Sequence, residues 1–372
     1  MFPAGIDMLR ELASSPRFAG SAAEARAREY CAAILRQEGF STSEEKFGYS
    51  SFPARWAPPL IALVLVLMSV AVARMADAGA TWIAPATGIV VLLLVAGAGR
   101  YLAGEGVLGF PFLRKSSTNL VARRSSEAAP GIWLVAHLDS KSQTIPMLAR
   151  IASVTAFAAL FGLTLLALIS ASILGRDSLT RIGVAASILA AVSLLPLLVL
   201  FIGNKSNGAL DNASGVAAVL LALRRLKERD IGVVITSAEE LALAGARAFV
   251  ARRRDPGVAI NCDTIDDTGR FLLMKSGTVS RRIEEAVARA WDRLELREPR
   301  HGKAGRLRPM LPGVMADNIA FSGAGWDSFT ISRGNLGTLV RVHTTGDSAG
   351  SIDGRGVDQA ALLIAAIVEE LH

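Results

Sequence analysis

The chain has 372 residues, enough for one large α/β domain or two average domains, and 51% of them are apolar. Its mean hydropathy of +0.40 is too high for an ordinary soluble enzyme. Its net charge of +7 comes without a basic patch interleaved with aromatic residues, so nucleic acid is not an expected partner. Arginines beside apolar stretches point instead to a lipid bilayer. Cys31 and Cys262 are too few for a disulfide framework and are expected to be small buried residues.

Residues 1–50 form the helical lead-in to a catalytic domain. Apolar spacing predicts two amphipathic helices, one around residues 8–12 and one over 23–35. Gly39 ends the second helix in the position that glycine favours, and an extended segment follows over 41–49.

Four uncharged apolar stretches predict membrane-spanning helices. They pair into two hairpins, residues 57–99 and 151–203, each with a polar turn in its middle. A bilayer core needs about 20 apolar residues, and a single central charge would cost roughly 2.5–3.5 kcal/mol. The alternative, four buried core helices, is disfavoured because the stretches are paired across short turns.

Strand and helix patterns alternate in the rest of the chain, as is typical of an α/β sheet. The catalytic domain would consist of residues 116–146, its first part, and residues 204–372, its main part. The predicted strands are 117–123, 131–136, 231–238, 258–262, 329–332 and 338–342. The predicted helices begin near 216 and cover 241–252, 281–294 and 357–371.

The loop Gly208-Ala-Leu-Asp211-Asn-Ala-Ser-Gly-Val216 places a carboxylate at the start of a predicted helix. Aspartate is a preferred N-cap residue, so helix capping is the simplest interpretation of Asp211 taken alone. A bridging metal ligand is the alternative, since a carboxylate can offer one oxygen to each of two ions.

Acidic and imidazole residues fall where predicted strands end or helices begin. They are His137, Asp211, Glu239, Glu240, Asp263 and His343. Ligands bind beyond the carboxyl ends of strands in α/β sheets, and imidazole with carboxylate suits zinc. The three carboxylates of Asp211, Glu240 and Asp263, with one hydroxide, would balance two divalent ions. Asp139, two residues after His137, fits a carboxylate that orients the imidazole.

Each of these residues also has a purely structural interpretation. His137 could be a hydrogen-bonded core histidine, and the Glu239-Glu240 pair could be a solvated helix start. Asp263, close to Asp266 and Asp267, could belong to a turn.

Five segments carry a resemblance as a set, in their order and spacing. They are Ala136-His137-Leu138-Asp139-Ser140, Gly208 to Ala217, Ala238-Glu239-Glu240 with Gly245 to Phe249, Ile260-Asn261-Cys262-Asp263, and His343-Thr344 with Asp347. Together they resemble the M28 family of di-zinc exopeptidases, and residues 16–21 resemble its N-terminal approach. The resemblance covers about residues 5–50 and 116–372 and leaves both hairpins as insertions.

The resemblance implies a mixed, mostly parallel central sheet flanked by helices, and two zinc ions bridged by Asp211. The other ligands would be His137 and Asp263 for one ion, and Glu240 and His343 for the other. Glu239 would be the general base that takes a proton from a water activated by the metals and later gives it to the leaving amine. The implied activity is hydrolysis of peptide (amide) bonds by an aminopeptidase.

The sequence departs from the family pattern at two places. Where the family often has Ser-Asp-His, this chain has Ala316-Asp317-Asn318, and no tyrosine is available to stabilise the oxyanion. Arg333 and Arg341, just before His343, are the candidates for binding the substrate carbonyl or a terminal carboxylate. Solvated charges are the alternative for both.

Both hairpins leave and return on one side, where positive charges near the span ends outnumber those in the opposite turns. The first group is Arg55, Arg100, Arg114, Lys115, Lys141, Arg150 and Lys205, and the second is Arg74, Arg176 and Arg181. The positive-inside rule therefore predicts an integral protein of a bacterial-type inner membrane with its catalytic domain in the cytoplasm. The absence of a signal-peptide pattern agrees.

The second hairpin lies between His137 and Asp211, so the sheet is expected close to the bilayer surface. We hypothesise a peptide or acyl-amino-acid substrate presented by the membrane. Two other functions are considered besides an aminopeptidase. A catalytically silent membrane receptor or scaffold would have lost metal ligands, and a glutaminyl-cyclase-like acyltransferase would have a single-zinc site. A transporter is disfavoured because the spans carry no charge. The sequence does not determine the oligomeric state.

Overall fold

The computed structural model describes residues 4–124, 130–227, 229–294, 305–311 and 313–372. The chain divides into two compact units. The sheet unit comprises Met1–Tyr49, Arg114–Ser142 and Asn204–His372, and the apolar unit comprises Ser50–Leu113 and Gln143–Gly203. The turn expected at 125–130 falls, except for Pro130, outside the described residues.

The sheet unit is built on one eight-stranded sheet. In chain order its strands are β1 (Ser41–Ser50), β2 (Arg114–Arg123), β3 (Ile132–His137), β4 (Gly232–Thr236), β5 (Val258–Ile265), β6 (Arg270–Lys275), β7 (Arg308–Pro309) and β8 (Asp327–Gly334). Their spatial order is β1-β2-β4-β3-β5-β8-β6-β7. Strands β4, β3, β5 and β8 are parallel, whereas β2 and β6 run antiparallel to their neighbours β4 and β8. The mixed, mostly parallel sheet predicted from the sequence is therefore confirmed.

Central strands β3 and β4 are buried along their whole length. Strands covered on both faces read as continuous apolar runs, which explains Ile132-Trp-Leu-Val-Ala136 and Val233-Val-Ile235. Strand β6 has a half-buried pattern and was not predicted, because its pairing with β8 is antiparallel and long-range.

Helices cover the sheet. They are Gly5–Leu12, Ala22–Gln37, Ser214–Ala222, Ala244–Val250, Arg281–Arg293, Asn318–Gly323, Leu336–Arg341 and Arg355–Leu371. The helix Ser214–Ala222 is buried at all positions but Leu221, so it lies inside the core rather than on its surface. The two amphipathic helices predicted in the lead-in and the closing helix are present.

The strand predicted for residues 338–342 is wrong. These residues belong to the helix Leu336–Arg341 and the position that caps it. The Asn335 side chain accepts the N–H groups of Gly337 at 2.7 Å and Thr338 at 3.2 Å. The Thr338 hydroxyl in turn accepts the N–H of Asn335 at 2.9 Å. This reciprocal capping box starts a helix in spite of the β-branched residues, whose strand preference misled the prediction.

The predicted helix 241–252 is also shorter, because Glu239–Leu241 forms a tight 3₁₀ turn before the helix Ala244–Val250. Ala242 and Leu243 have φ of +68° and +61°, which interrupts regular helix between the two elements.

The apolar unit contains four helices that are long and apolar enough to cross a membrane. They are Ala57–Asp77, Ile83–Ala103, Met147–Leu174 and Asp177–Val199, the last ending in a 3₁₀ turn. The short helices Phe52–Arg55 and Gly106–Gly109 flank the first pair, and Ser142–Gln143 and Ile202–Gly203 form a separate two-stranded sheet. Inside the unit, the buried hydroxyl of Ser187 donates to the Ser69 carbonyl at 2.7 Å, a polar bond of the kind that joins apolar helices.

Candidate metal centre

The carboxyl ends of three neighbouring parallel strands carry most of the candidate residues. Strand β3 ends at His137, Glu239 and Glu240 follow β4, and Asp263 lies near the end of β5. Because β4, β3 and β5 are adjacent and parallel, these side chains emerge at one edge of the sheet.

Asp211 reaches the same edge from the irregular segment that precedes the helix Ser214–Ala222. Its Oδ1 atom lies 3.0 Å from His137 Nε2, and its Oδ2 atom lies 3.1 Å from His343 Nε2. The helix-cap interpretation of Asp211 is wrong. In the first turn of the helix Ser214–Ala222, the N–H of Gly215 donates to the side chain of Asn212 at 3.0 Å and not to Asp211. The Asp211 carboxylate therefore faces the two imidazoles, one with each oxygen.

Two groups of three side chains share Asp211. His137, Asp211 and Asp263 form one group, and Asp211, Glu240 and His343 form the other, with the potential ligand atoms of each group within 4.8 Å of one another. In the first, His137 Nε2 lies 3.6 Å from Asp263 Oδ1, and in the second, His343 Nε2 lies 3.2 Å from Glu240 Oε1. The structure thus brings all five predicted metal ligands together.

The chemistry of this donor set fits zinc. Among the described residues, Nε2 of His137, Nε2 of His343 and Oε1 of Glu240 are buried without a hydrogen bond, although carboxylate or imidazole atoms lie close to them. Buried polar atoms without hydrogen bonds are costly unless something else satisfies them. Converging imidazole nitrogens and carboxylate oxygens are the ligands that zinc prefers.

The charged groups of the cluster shift one another's pKa values. Burial by itself lowers the pKa of His137, but the surrounding carboxylates, Glu239 foremost, outweigh it and raise that pKa well above its usual value. Burial raises the pKa of Asp211, but the adjacent imidazoles of His137 and His343 outweigh it and hold that pKa far below the usual value. Asp211 is therefore anionic at any physiological pH.

Backbone strain accompanies the candidate ligands. Ala238, directly before the glutamate pair, has φ of +55°, Thr264, directly after Asp263, has +58°, and His343 itself has +64°. Left-handed backbone at non-glycine residues costs about 1–3 kcal/mol each and clusters at functional sites, where the surrounding structure enforces it.

Glu239 belongs to neither group of three, although its Oε2 atom lies 3.9 Å from His137 Nε2. Burial raises the pKa of Glu239 well above the usual value, and the charges of Glu240 and Asp263 add to this effect. A carboxyl group with a raised pKa beside a ligand cluster is suited to accept and return a proton.

The carboxylate of Asp139 lies closer to the backbone N–H groups of Glu239 and Glu240 than to the imidazole of His137. It accepts the N–H groups of Glu239 at 3.1 Å and Glu240 at 3.3 Å, whereas its Oδ1 atom is 3.7 Å from His137 Nδ1. The group that His137 Nδ1 contacts at 3.0 Å is the backbone carbonyl of Asp139. Asp139 therefore orients His137 through its carbonyl and holds the glutamate turn through its side chain.

Lys141 is a site residue that the sequence did not single out. Its Nζ atom lies 2.6 Å from Glu240 Oε2. Burial lowers the pKa of Lys141, but Glu240, Glu239 and Asp211 outweigh it, so the ammonium stays charged. Its position two residues after Asp139 is the sequence signal for a role in the site. The sequence pattern alone favours a charge that flanks a membrane span, because Lys141 also lies near the start of the second hairpin.

Asp317 is buried behind the cluster, where it accepts a short hydrogen bond from the Thr236 hydroxyl. Burial raises the pKa of Asp317 to about 7, and the charge of His137 opposes the shift. This residue lies in the segment where the sequence departs from the Ser-Asp-His pattern.

The guanidinium groups of the two candidate substrate-binding arginines are engaged elsewhere. Arg341 forms a short ion pair with Asp266. Arg333 forms a short hydrogen bond with Gln359, and its guanidinium lies 5.1 Å from the centre of the Phe271 ring.

An α/β sheet with carboxylates and imidazoles converging beyond its parallel strand ends defines a candidate metallohydrolase. The model of peptidase family M28 matches residues 119–368, and the chain belongs to this family. The chain matches none of the curated proteins with which it was compared.

Solved structures with the same fold include an aminopeptidase from Aneurinibacillus sp. strain AM-1, which is 15% identical with a TM-score of 0.55 over 99% of this chain and 93% of that one. A zinc aminopeptidase from Bacillus subtilis is 16% identical with a TM-score of 0.56, over 100% and 96% of the two chains. A Zn-dependent exopeptidase from Parabacteroides distasonis is 13% identical with a TM-score of 0.55, over 100% and 99%. At these identities the similarity establishes the fold.

Proposed function

We propose that the protein is a membrane-embedded di-zinc exopeptidase, and specifically an aminopeptidase. The observation that carries this proposal is the pair of three-residue groups that share Asp211, with Glu239 part of neither and its Oε2 atom 3.9 Å from His137 Nε2. Membership of peptidase family M28 supports hydrolysis of peptide bonds. The names of the structural neighbours, zinc aminopeptidases among them, support zinc and the amino-terminal direction.

His137 and Asp263 would hold one ion, Glu240 and His343 the other, and Asp211 both. When bound, the ions would polarise the scissile carbonyl and lower the pKa of water toward about 7. Glu239 would take the proton from the attacking water at a carboxylate oxygen and deliver it to the nitrogen of the leaving amine. Asp139 would keep Glu239 and Glu240 in place through their backbone N–H groups.

Membrane embedding is proposed from the four apolar helices and the charges that flank them. Lys141 is buried beside Glu240 and no longer counts as a flanking charge. Six arginines and lysines remain on the side of the catalytic segments and three on the other: Arg55, Arg100, Arg114, Lys115, Arg150 and Lys205 against Arg74, Arg176 and Arg181. This asymmetry supports a cytoplasmic catalytic unit at a bacterial-type inner membrane. The substrate proposed for an aminopeptidase is a peptide with a free N-terminus.

The test is a peptidase assay on full-length protein purified in detergent and loaded with zinc. We expect it to hydrolyse dipeptide amides with a free N-terminus and to leave N-blocked ones intact. The substitution Glu239→Gln should lower kcat by roughly 10²–10⁴-fold while zinc remains bound, because it removes only the proton acceptor.

The matched control is Glu29→Gln, at an exposed glutamate of the helix Ala22–Gln37, which should keep full activity. Full activity in Glu239→Gln would rule out Glu239 as the base. Cleavage of N-blocked substrates alone would rule out an aminopeptidase, and a wild-type protein that binds no zinc would overturn the proposal as a whole.

A further inference from the structure

Arg17 is buried, and within the described part of the chain its guanidinium binds only backbone carbonyls. Nε donates to Leu138 O at 2.9 Å, Nη1 to Asn207 O at 2.6 Å, and Nη2 to Gly208 O at 2.9 Å. A further short bond from Nη1 reaches Leu12 O, in the helix at the start of the chain. One side chain thus joins three segments that are far apart in sequence.

Two of these segments carry candidate metal ligands. Leu138 directly follows His137, and Gly208 lies three residues before Asp211. Between them the chain leaves the sheet unit after Ser142 and returns at Asn204. Arg17 therefore bonds directly across the point at which the long insertion interrupts the ligand set.

Ser140 adds a second connection between the same segments. Its hydroxyl accepts the N–H of Arg17 at 3.0 Å and donates to Ser206 O at 3.0 Å. The Asp211 segment is also held from its other side, since the Asp347 carboxylate accepts the N–H of Leu210 at 2.6 Å and that of Asp211 at 3.3 Å. Arg17 holds the carbonyls of this segment and Asp347 holds its N–H groups.

This use of arginine is costly, because no carboxylate lies within ion-pair distance of Arg17 among the described residues. Burial lowers its pKa to about 10, so the guanidinium remains charged at neutral pH. Its planar fork presents donors in fixed directions, so it sets the separation of the carbonyls that it binds. A flexible lysine with a single ammonium would not reach both segments with the same geometry.

We propose that Arg17 is a positioning residue that holds the His137 and Asp211 segments at the spacing needed to bind metal. This inference rests on the proposed function, since it takes His137 and Asp211 as ligands. Substitutions of residues that orient metal ligands typically cost 10–100-fold in metal affinity.

The experiment measures zinc affinity of the full-length protein by competition with a chromogenic chelator, together with the thermal unfolding midpoint. We expect Arg17→Lys and Arg17→Met to weaken zinc binding 10–100-fold while the protein remains folded. The control is Arg253→Met, because Arg253 is a largely buried arginine that pairs with Glu45 at 2.6 Å and packs on Phe249, away from the ligand segments. This control should lower the unfolding midpoint and leave zinc affinity unchanged.

Wild-type zinc affinity in both Arg17 variants, with a stability loss like that of Arg253→Met, would overturn the proposal. If neither Arg17 variant folds, Ser140→Ala decides: weaker zinc binding supports the proposal, and unchanged binding overturns it. A wild-type protein that binds no zinc would instead overturn the proposed function, and this inference with it.

Discussion

Single side chains around the centre divide into groups that face the candidate metal positions and groups that hold the backbone. Asp139 and Asp347 are acidic and close to the cluster, but their carboxylates accept backbone N–H groups of Glu239, Glu240, Leu210 and Asp211. Residue type alone does not separate the two kinds of aspartate, because the difference lies in which atoms they meet after folding.

Glu24 provides a test of a buried carboxyl group that is not among the candidate metal ligands. Its carboxylate accepts the N–H of Gly20 at 2.6 Å and the hydroxyls of Ser117 and Ser237. Burial raises the pKa of Glu24 from 4.5 to about 7, so the folded protein retains a proton that the unfolded chain has released. The free energy of unfolding should therefore fall by up to about 3 kcal/mol from this group as pH rises from 4.5 to 7.

We expect Glu24→Gln to remove this contribution, since the amide oxygen can keep the bonds from Gly20 and Ser117 while the Ser237 hydroxyl rotates to accept from the amide NH2. Its stability relative to the wild type should increase steadily between pH 4.5 and 7, measured as the unfolding midpoint at several pH values. An equal pH dependence in wild type and variant would contradict the assignment, and Glu29→Gln serves as the exposed control.

At the level of elements, the centre depends on how closely the Asp211 segment approaches strand β5. Asn212 bridges the two, donating to Cys262 O at 2.9 Å and accepting from Thr264 N at 3.1 Å. Gly215, at the start of the following helix, leaves just enough room for this bridge. A pattern of apolar residues predicts the helix but does not show what its first turn must accommodate.

Gly215→Ala should therefore damage the centre. The added Cβ would lie 2.2 Å from Asn212 Oδ1 and 2.4 Å from Cys262 O, distances that force the bridge to move. We expect a stability loss of about 1–3 kcal/mol or more and weaker zinc binding, measured by thermal unfolding and chelator competition. Gly350→Ala, whose Cβ would meet nothing within 4 Å, should behave as the wild type. Normal zinc binding in Gly215→Ala would show that the bridge does not support the centre.

On the scale of the whole molecule, the chain passes twice from the sheet unit into the apolar unit and back. Each unit has its own hydrophobic core, one around the sheet and one among the four long helices. The long helices also expose many large apolar side chains, among them Leu67, Leu93 and Leu166. Exposed apolar surface of this extent marks a site of interaction, and the proposed partner is the lipid bilayer.

Membrane topology is testable by cysteine labelling in intact bacterial cells. Both native cysteines are free and buried, so they should contribute little background. A membrane-impermeant maleimide should label Ser178→Cys, at the exposed start of the helix Asp177–Val199, and not Ala25→Cys, at an exposed position of the sheet unit. The reverse pattern would contradict the proposed orientation. Release of the protein from membranes by alkaline carbonate would contradict membrane embedding.

The sequence by itself determined the features that depend on neighbours along the chain. Uncharged stretches of membrane length, strands with continuous apolar residues, and the order of acidic and imidazole residues after them could all be predicted, because each is a local pattern with a local physical cause. The strand predicted at 338–342 is wrong because two local patterns compete there. The capping box at Asn335 outweighs the β-branched residues that favour a strand.

Only the tertiary structure decided which distant groups meet. Arg17 binds Gly208 across 191 positions of sequence, Lys141 reaches Glu240 across 99, and β6 joins the sheet by pairing with β8. Such contacts depend on how the strands are ordered in the sheet, and the same residue types would pass as solvated charges in another arrangement. The approach of His137 Nε2 to 3.0 Å and of His343 Nε2 to 3.1 Å from the two oxygens of Asp211 is likewise a property of the fold.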